Sequence, residues 1–155
     1  MTSNEKAIHQ FFRALENRDY KTLQSCYSNN AVYNNPIMGL LDIETAKAMW
    51  ELVCTCIPDL KTNYSDIQEL DEEYATCLWE EEYIYNENLI YIKKKAYFRF
   101  ENGLIIEHTD GFNFYDWCKR INGVVGWLFG WSNFMQKRIQ KKERNKLIAY
   151  INTNK

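Results

Sequence analysis

His108 and Asp110 are the residues whose types and spacing most directly offer acid–base chemistry. They lie in the stretch Asn102-Gly103-Leu104-Ile105-Ile106-Glu107-His108-Thr109-Asp110-Gly111-Phe112, which opens as a turn and continues as a strand. Side chains alternate faces along a strand, so Ile106, His108, Asp110 and Phe112 are predicted to point the same way. An imidazole and a carboxylate among apolar neighbours form a site pattern if that face is buried, and an ordinary wet sheet face if it is not. The other histidine, His9, sits on an amphipathic segment with no obvious acidic partner and is expected to be structural or exposed.

These two residues need a sheet to position them. From Leu60 the apolar period changes to two, which predicts strands at about 60–69, 74–85, 89–101 and 104–115. The connections Asp71-Glu72, Asn86-Glu87-Asn88 and Glu101-Asn102-Gly103 are short, so successive strands are expected to be antiparallel neighbours. A three-residue turn at 101–103 with a left-handed Gly103 sets Ala96 opposite His108, Lys94 opposite Asp110 and Phe98 opposite Ile106. A four-residue loop at 86–89 sets Glu81 opposite Lys94, Trp79 opposite Ala96 and Tyr83 opposite Ile92. It also pairs Glu80 with Lys95 and Glu82 with Lys93 on the other face, where opposite charges favour the register. The expected inward row is Glu81–Lys94–Asp110, with His108 and Trp79 one step along. Lysine between two carboxylates favours all three charged forms, and burial opposes them.

Helices are expected ahead of the sheet. Ser3 or Asn4 can cap a helix running to about Asn17, with Ile8, Phe11, Phe12 and Leu15 on one face. Asp19 can cap a short second helix that turns Tyr20, Leu23 and Tyr27 inward, and Ala31–Pro36 reads as a short strand stopped by proline. Asp42 caps a third helix whose stripe of Ala46, Met49, Trp50, Val53 and Ile57 runs up to Pro58. Helices followed by a meander predict an α+β domain over residues 1–120 with a pocket. Residues 121–155 read as a glycine- and aromatic-rich loop at 123–131 and, with Ser132 as cap, a basic C-terminal helix to about Tyr150. Phe134, Ile139, Leu147 and Ile148 would give that helix its apolar side. It is expected to pack on the same domain; a membrane-surface or nucleic-acid contact, or a flap over a cavity, are the functional alternatives.

The totals narrow the class. At 155 residues one core is expected, and 15% aromatic content suggests a wide core or a ring-lined cavity. A net charge of −2 with mixed signs gives no basic field for nucleic acid. Cys26, Cys54, Cys56, Cys77 and Cys118 show neither C-x-x-C pairing nor zinc spacing, so free thiols in a reducing cytosol, no metal and no cofactor are expected. The N-terminus has no apolar signal core and no run reaches membrane-spanning length, so a cytoplasmic protein is expected.

Several short pieces, in order, resemble the nuclear transport factor 2-like superfamily, in particular its SnoaL-like (polyketide cyclase-like) branch. They are Phe11–Asp19, Ala31–Pro36, the helix carrying Trp50 before Ile57-Pro58-Asp59, Phe98–Ile105 and His108-Thr109-Asp110, and together they cover about residues 5–117. The resemblance implies a cone, also called cystatin-like: a curved antiparallel sheet wrapped around N-terminal helices and enclosing a deep apolar cavity, here with an extra C-terminal helix. It also implies a homodimer through the convex sheet face. Ketosteroid isomerases of this superfamily use a carboxylate where this chain has Asn35, and an aromatic hydroxyl and a protonated carboxyl at positions resembling Phe11 and Ala96; all three groups are absent. The polyketide cyclases place an acid/base aspartate in a segment resembling His108-Thr109-Asp110, so Asp110 is the implied acid/base, with Lys94 or His108 stabilising a developing enolate. The epoxide hydrolases need an Asp-Arg-Asp relay, for which this chain offers Lys94 in place of arginine.

Three functions stay open: a proton-transfer enzyme of cyclase, isomerase or hydratase type acting on a small apolar molecule, a non-catalytic binder of such a molecule, and a protein-interaction module. The candidate catalytic residues are Asp110, His108 and Lys94. The candidate pocket residues are Tyr33, Asn35, Trp50, Trp79, Glu81, Ala96 and Phe112.

Overall fold

A computed structural model describes the backbone of residues 1–85, 87–129 and 133–154, and the side chains of all of these except 122–129. The elements in order are α1 (Ser3–Glu16), α2 (Tyr20–Ser25), β1 (Tyr27–Asn35), β2 (Gly39–Asp42), α3 (Ile43–Cys56), β3 (Lys61–Glu69), β4 (Tyr74–Tyr85), β5 (Asn88–Glu101), β6 (Leu104–Gly111), α4 (Phe114–Phe129) and α5 (Asn133–Thr153). The expected α+β layout is present, as one curved open sheet of six strands in the order β2-β1-β6-β5-β4-β3. It is not wholly antiparallel, because β1 lies parallel to β6 with Tyr33 beside His108. That pair joins strands far apart in sequence, and no local turn announces it.

The helices form where their caps and stripes place them. Asp19 and Asp42 cap α2 and α3 as expected, each accepting a backbone N–H from three residues on. The cap of α1 is Thr2, whose hydroxyl accepts from the Glu5 N–H, rather than Ser3 or Asn4. Asn4 is instead buried and donates to the Glu72 carbonyl at 2.8 Å. One face of α1 lies on the sheet, with Phe11 and Phe12 edge-on to Phe98. β1 begins at Tyr27, four residues before the predicted start, so Tyr27 belongs to the sheet and not to α2.

Both predicted hairpin registers are off by two residues. Trp79 pairs with Lys94, Cys77 with Ala96 and Glu80 with Lys93, and Tyr85 pairs directly with Asn88. Phe98 pairs with His108 and Ala96 with Asp110. Asn102 and Gly103 both take positive φ in a tight turn, so Glu101 pairs with Leu104. That turn alone would throw His108 onto the outer face. A bulge between Arg99 and Phe100, opposite the Glu107/Ile105 step, adds one residue and restores the inward face. Ile105 therefore takes the fully buried position and Ile106 is left half-buried at the bulge, a correction to the predicted Ile106–His108–Asp110 row.

The last strand is shorter than predicted and the tail differs. β6 stops at Gly111, and the segment read as strand end and glycine-rich loop is the helix α4 up to Phe129. Phe114, Trp117, Cys118 and Ile121 recur at helical spacing and pack with Ile90, Ile92 and Ile139 in a second apolar cluster. Asn86, Trp131 and Ser132, and the side chains of Trp127 and Phe129, lie outside the described residues. Helix α5 extends to Thr153 and seats Ile139 and Leu147, while Phe134 and Ile148 fall on its exposed side. Gln140 donates to the Pro36 carbonyl at 2.9 Å, and Arg144 donates to the Leu40 carbonyl. Gly39, with φ of +72°, lets the backbone turn directly beneath Gln140. Among the described residues no helix is long and apolar enough to cross a membrane.

Candidate functional site

Two polar groupings stand on the inner face of the sheet, and they differ in what they leave unsatisfied. The first is centred on Asp110. Its Oδ1 accepts from the Trp79 indole at 2.9 Å and from His108 Nε2 at 3.1 Å. Its Oδ2 accepts from the Tyr33 hydroxyl at 2.6 Å. Behind His108, Nδ1 lies 2.7 Å from the Tyr27 hydroxyl, which accepts from the Trp50 indole at 3.1 Å. Since Tyr27 already accepts one N–H, its own proton is free to go to Nδ1. With a proton on Nε2 the imidazole donates to Asp110, and its Nδ1 accepts the Tyr27 proton. The chain Trp50 → Tyr27 → His108 → Asp110 ← Tyr33 ← Asn35 is then complete, the last link being Asn35 Nδ2 donating to the Tyr33 hydroxyl at 3.1 Å.

Rings seal this hub. His108 and Asp110 are each 1% exposed. Phe98 lies 4.4 Å and Tyr33 4.8 Å from the imidazole, centroid to centroid, and Phe11 meets it edge-on at 5.3 Å. Burial opposes the charge on Asp110, but the imidazole, Lys94 and the Tyr33 hydroxyl outweigh it and hold the carboxyl below the usual carboxylate range. Burial first, and then the Asp110 charge, pushes both Tyr27 and Tyr33 well above an ordinary phenol. Asp110 is thus a carboxylate with both oxygens engaged, and the two tyrosines hold their protons firmly.

The second grouping is the ion pair Lys94–Glu81, 2.6 Å apart, with side chains 6% and 12% exposed. Lys94 Nζ lies 4.6 Å from the Trp79 ring centroid and 4.9 Å from that of Phe112, between two aromatic faces. Both members of the pair line a cavity of about 330 Å³. Tyr33, Asn35, Trp50 and Trp79 line it from the sheet and α3, with Met49, Val53 and Leu60 adding apolar wall. Helix α5 contributes Glu143, Lys146 and Leu147, so this helix closes one side of the cavity. Lys146 and Glu143 are themselves paired at 3.2 Å.

Of the ten residues singled out from sequence, Tyr33, Asn35, Trp50, Trp79, Glu81 and Lys94 line the cavity. Asp110, His108, Ala96 and Phe112 do not. Asp110 and His108 lie in the sealed hub, Ala96 is fully buried, and Phe112 covers Lys94. The expected row Glu81–Lys94–Asp110 is therefore split: Lys94 bonds Glu81, while Asp110 is served by Trp79, His108 and Tyr33. Acid–base work by Asp110 on a molecule in the cavity requires Tyr33 or Trp79 to move aside. Sequence reasoning missed Tyr27 as a polar member of the hub, because its place on β1 beside β6 depends on the parallel pairing. His9, expected to be structural or exposed, is part-buried with its Nδ1 2.7 Å from the Tyr64 hydroxyl. The five cysteines are free, and burial raises the thiols of Cys26 and Cys77 to about 12.

A six-stranded sheet curved over α1 is an architecture shared with known proteins. Residues 8–108 match the SnoaL-like domain, and the chain belongs to that family. Among solved structures it is similar to TerC co-crystallised with polyporic acid, at TM-score 0.69 and 14% identity, over 79% of this chain and 100% of that one. It is similar over the same shares to a nuclear transport factor 2-like protein of unknown function from Burkholderia pseudomallei K96243, at TM-score 0.68 and 16% identity. A candidate polyketide cyclase of Pseudomonas putida KT2440 aligns at TM-score 0.63 and 18% identity, over 78% of this chain and 98% of that one. Identities this low carry the fold alone. No curated protein matches the chain.

Proposed function

We propose that this protein binds a small, largely apolar molecule in the cavity between the sheet, α3 and α5, with Lys94 and Glu81 as its polar anchor. The observation that carries this reading is an apolar, ring-lined space of about 330 Å³ with the buried Lys94–Glu81 ion pair in its inner wall. That is the lower end of the size range of small-molecule pockets, which hold few but well-placed polar groups. Three tryptophans line the space, Trp50, Trp79 and Trp117, and the indole N–H signals of these rings report on occupancy. Naphthalene, added to ¹⁵N-labelled protein, is expected to shift these indole signals saturably, and Met49→Trp, which fills the cavity, is expected to abolish the effect. Indole signals that do not respond would contradict the reading.

A second reading is proton transfer, supported by an ammonium and a carboxylate facing one apolar space. Glu81 would take a proton from the carbon next to a carbonyl, the C–H electron pair would form the enolate C=C bond, and Lys94 would hold the enolate oxygen. Asp110 and His108 enter as positioning residues that fix Tyr33 and Trp79. The test is deuterium uptake at the activated CH₂ of 2-tetralone in D₂O, expected above the uncatalysed rate and lost in Glu81→Gln. As to assembly, Tyr74, Leu78 and Tyr97 leave an exposed apolar strip on the outer sheet face, which supports pairing of two copies there. Sedimentation across a concentration range tests it: a monomer throughout would exclude such a dimer.

A further inference from the structure

Lys94 is the cation in the inner wall, and its closest partner is not left for a ligand. Glu81 holds it at 2.6 Å, and the aromatic faces of Trp79 and Phe112 cover it on two further sides. Among the described residues the only other cation lining the space is Lys146, which is paired with Glu143 at 3.2 Å. Both lining cations are thus neutralised by carboxylates that also line the space. Just outside the lining, Asp110 adds a further negative charge, separated from Lys94 by the indole of Trp79, which donates to it. An anionic ligand entering here meets carboxylates at every cation and loses its water in apolar surroundings. An uncharged hydroxyl or carbonyl meets the opposite situation. Lys94 has N–H groups beyond the one given to Glu81, the Glu81 carboxylate has acceptor capacity beyond the one taken by Lys94, and Asn35 Nδ2 has one N–H beyond that given to Tyr33.

We propose that Glu81 is the specificity-determining residue of the cavity: by neutralising Lys94 inside an apolar wall it excludes carboxylate ligands and selects uncharged molecules bearing a hydroxyl or carbonyl oxygen. This rests on the binding reading above and adds the charge class of the ligand.

Three probes of one skeleton separate the two claims: naphthalene, 2-naphthol and 2-naphthoate, titrated at neutral pH into wild-type protein and into Glu81→Gln. In the wild type, 2-naphthol is expected to bind most tightly, and 2-naphthoate at least about tenfold more weakly than 2-naphthol, as an unpaired charge in apolar surroundings requires. Glu81→Gln leaves the Lys94 ammonium without its carboxylate and is expected to reverse the order, so that 2-naphthoate binds best. Wild-type protein that takes 2-naphthoate as tightly as 2-naphthol overturns the proposal, with binding of naphthalene showing that the apolar cavity itself stands. An unchanged ranking in Glu81→Gln overturns it equally. If no probe binds, the binding reading fails and this inference with it. Should Glu81→Gln not fold, Lys94→Met/Glu81→Met replaces it; that variant is expected to keep naphthalene and lose the preference for 2-naphthol, and retention of the preference counts against the proposal.

Discussion

The Asp110 hub and the Lys94–Glu81 pair stand on the same inner face of the sheet, one strand apart, and share Trp79. Trp79 gives its N–H to the first and its ring face to the second. In the hub, both carboxylate oxygens of Asp110 are matched by donors and the side chain is 1% exposed. In the pair, each member has one strong partner, spare hydrogen-bonding capacity and a cavity in front of it. A saturated polar network specifies how a core packs. An unsaturated one, at the wall of a space, is where a ligand gains by binding.

The largest break in this comparison is Asp110→Asn. It turns one acceptor of the hub into a donor facing other donors, and we expect about 3–5 kcal/mol of lost stability in urea unfolding. A loss below about 1 kcal/mol, the range of exposed pairs, would mean that the hub is not what fixes the core. The same group sets an acid limb. Its folded-state pKa is lowered, so its contribution is present above the ordinary carboxylate value of 3.8 and is lost as pH falls through the lower folded value. Wild-type stability should therefore drop more steeply with acid than that of Asp110→Asn, whose curve should be flatter below pH 4. Tyr27→Phe leaves the Trp50 N–H and His108 Nδ1 without their shared partner, and about 2 kcal/mol is expected from two buried unmet groups. Asp42→Ala removes only the cap of α3 and should cost about 1 kcal/mol. It should leave naphthalene binding unchanged, which sets the scale for a change remote from both groupings. The smallest effect on stability is expected from Lys94→Met/Glu81→Met, within about 1 kcal/mol of wild type, because a buried ion pair and well-packed apolar residues are close in free energy. That variant sharpens the contrast, being nearly silent in unfolding and decisive in ligand choice.

The faces of the sheet were legible in the sequence for a physical reason. Both register expectations missed by two residues, and a slip of two keeps each side chain on its own face. At β5–β6 the tight turn at Asn102-Gly103 and the bulge at Ile106 each shift the pairing by one and act together. The caps Asp19 and Asp42 were legible because capping is local. The parallel pairing of β1 with β6 was not, and with it went the place of Tyr27 and the saturation of Asp110. Glycines 123 and 126 hid α4, although Phe114, Trp117, Cys118 and Ile121 carried its period. The sequence reading placed His108 and Asp110 together, and they are; what it lacked was the ring of Phe11, Tyr33 and Phe98 that closes over the imidazole.

The central claim is that a ligand meets the Lys94–Glu81 pair and leaves the hub closed. A crystal structure of the protein soaked with 2-naphthol tests it most directly. The account predicts the naphthol ring in the cavity between Trp50 and Trp79, its oxygen within hydrogen-bonding distance of Lys94 or Glu81, and Tyr33 still donating to Asp110. A naphthol oxygen bonded to Asp110 or His108, with Tyr33 or Trp79 swung aside, would contradict it.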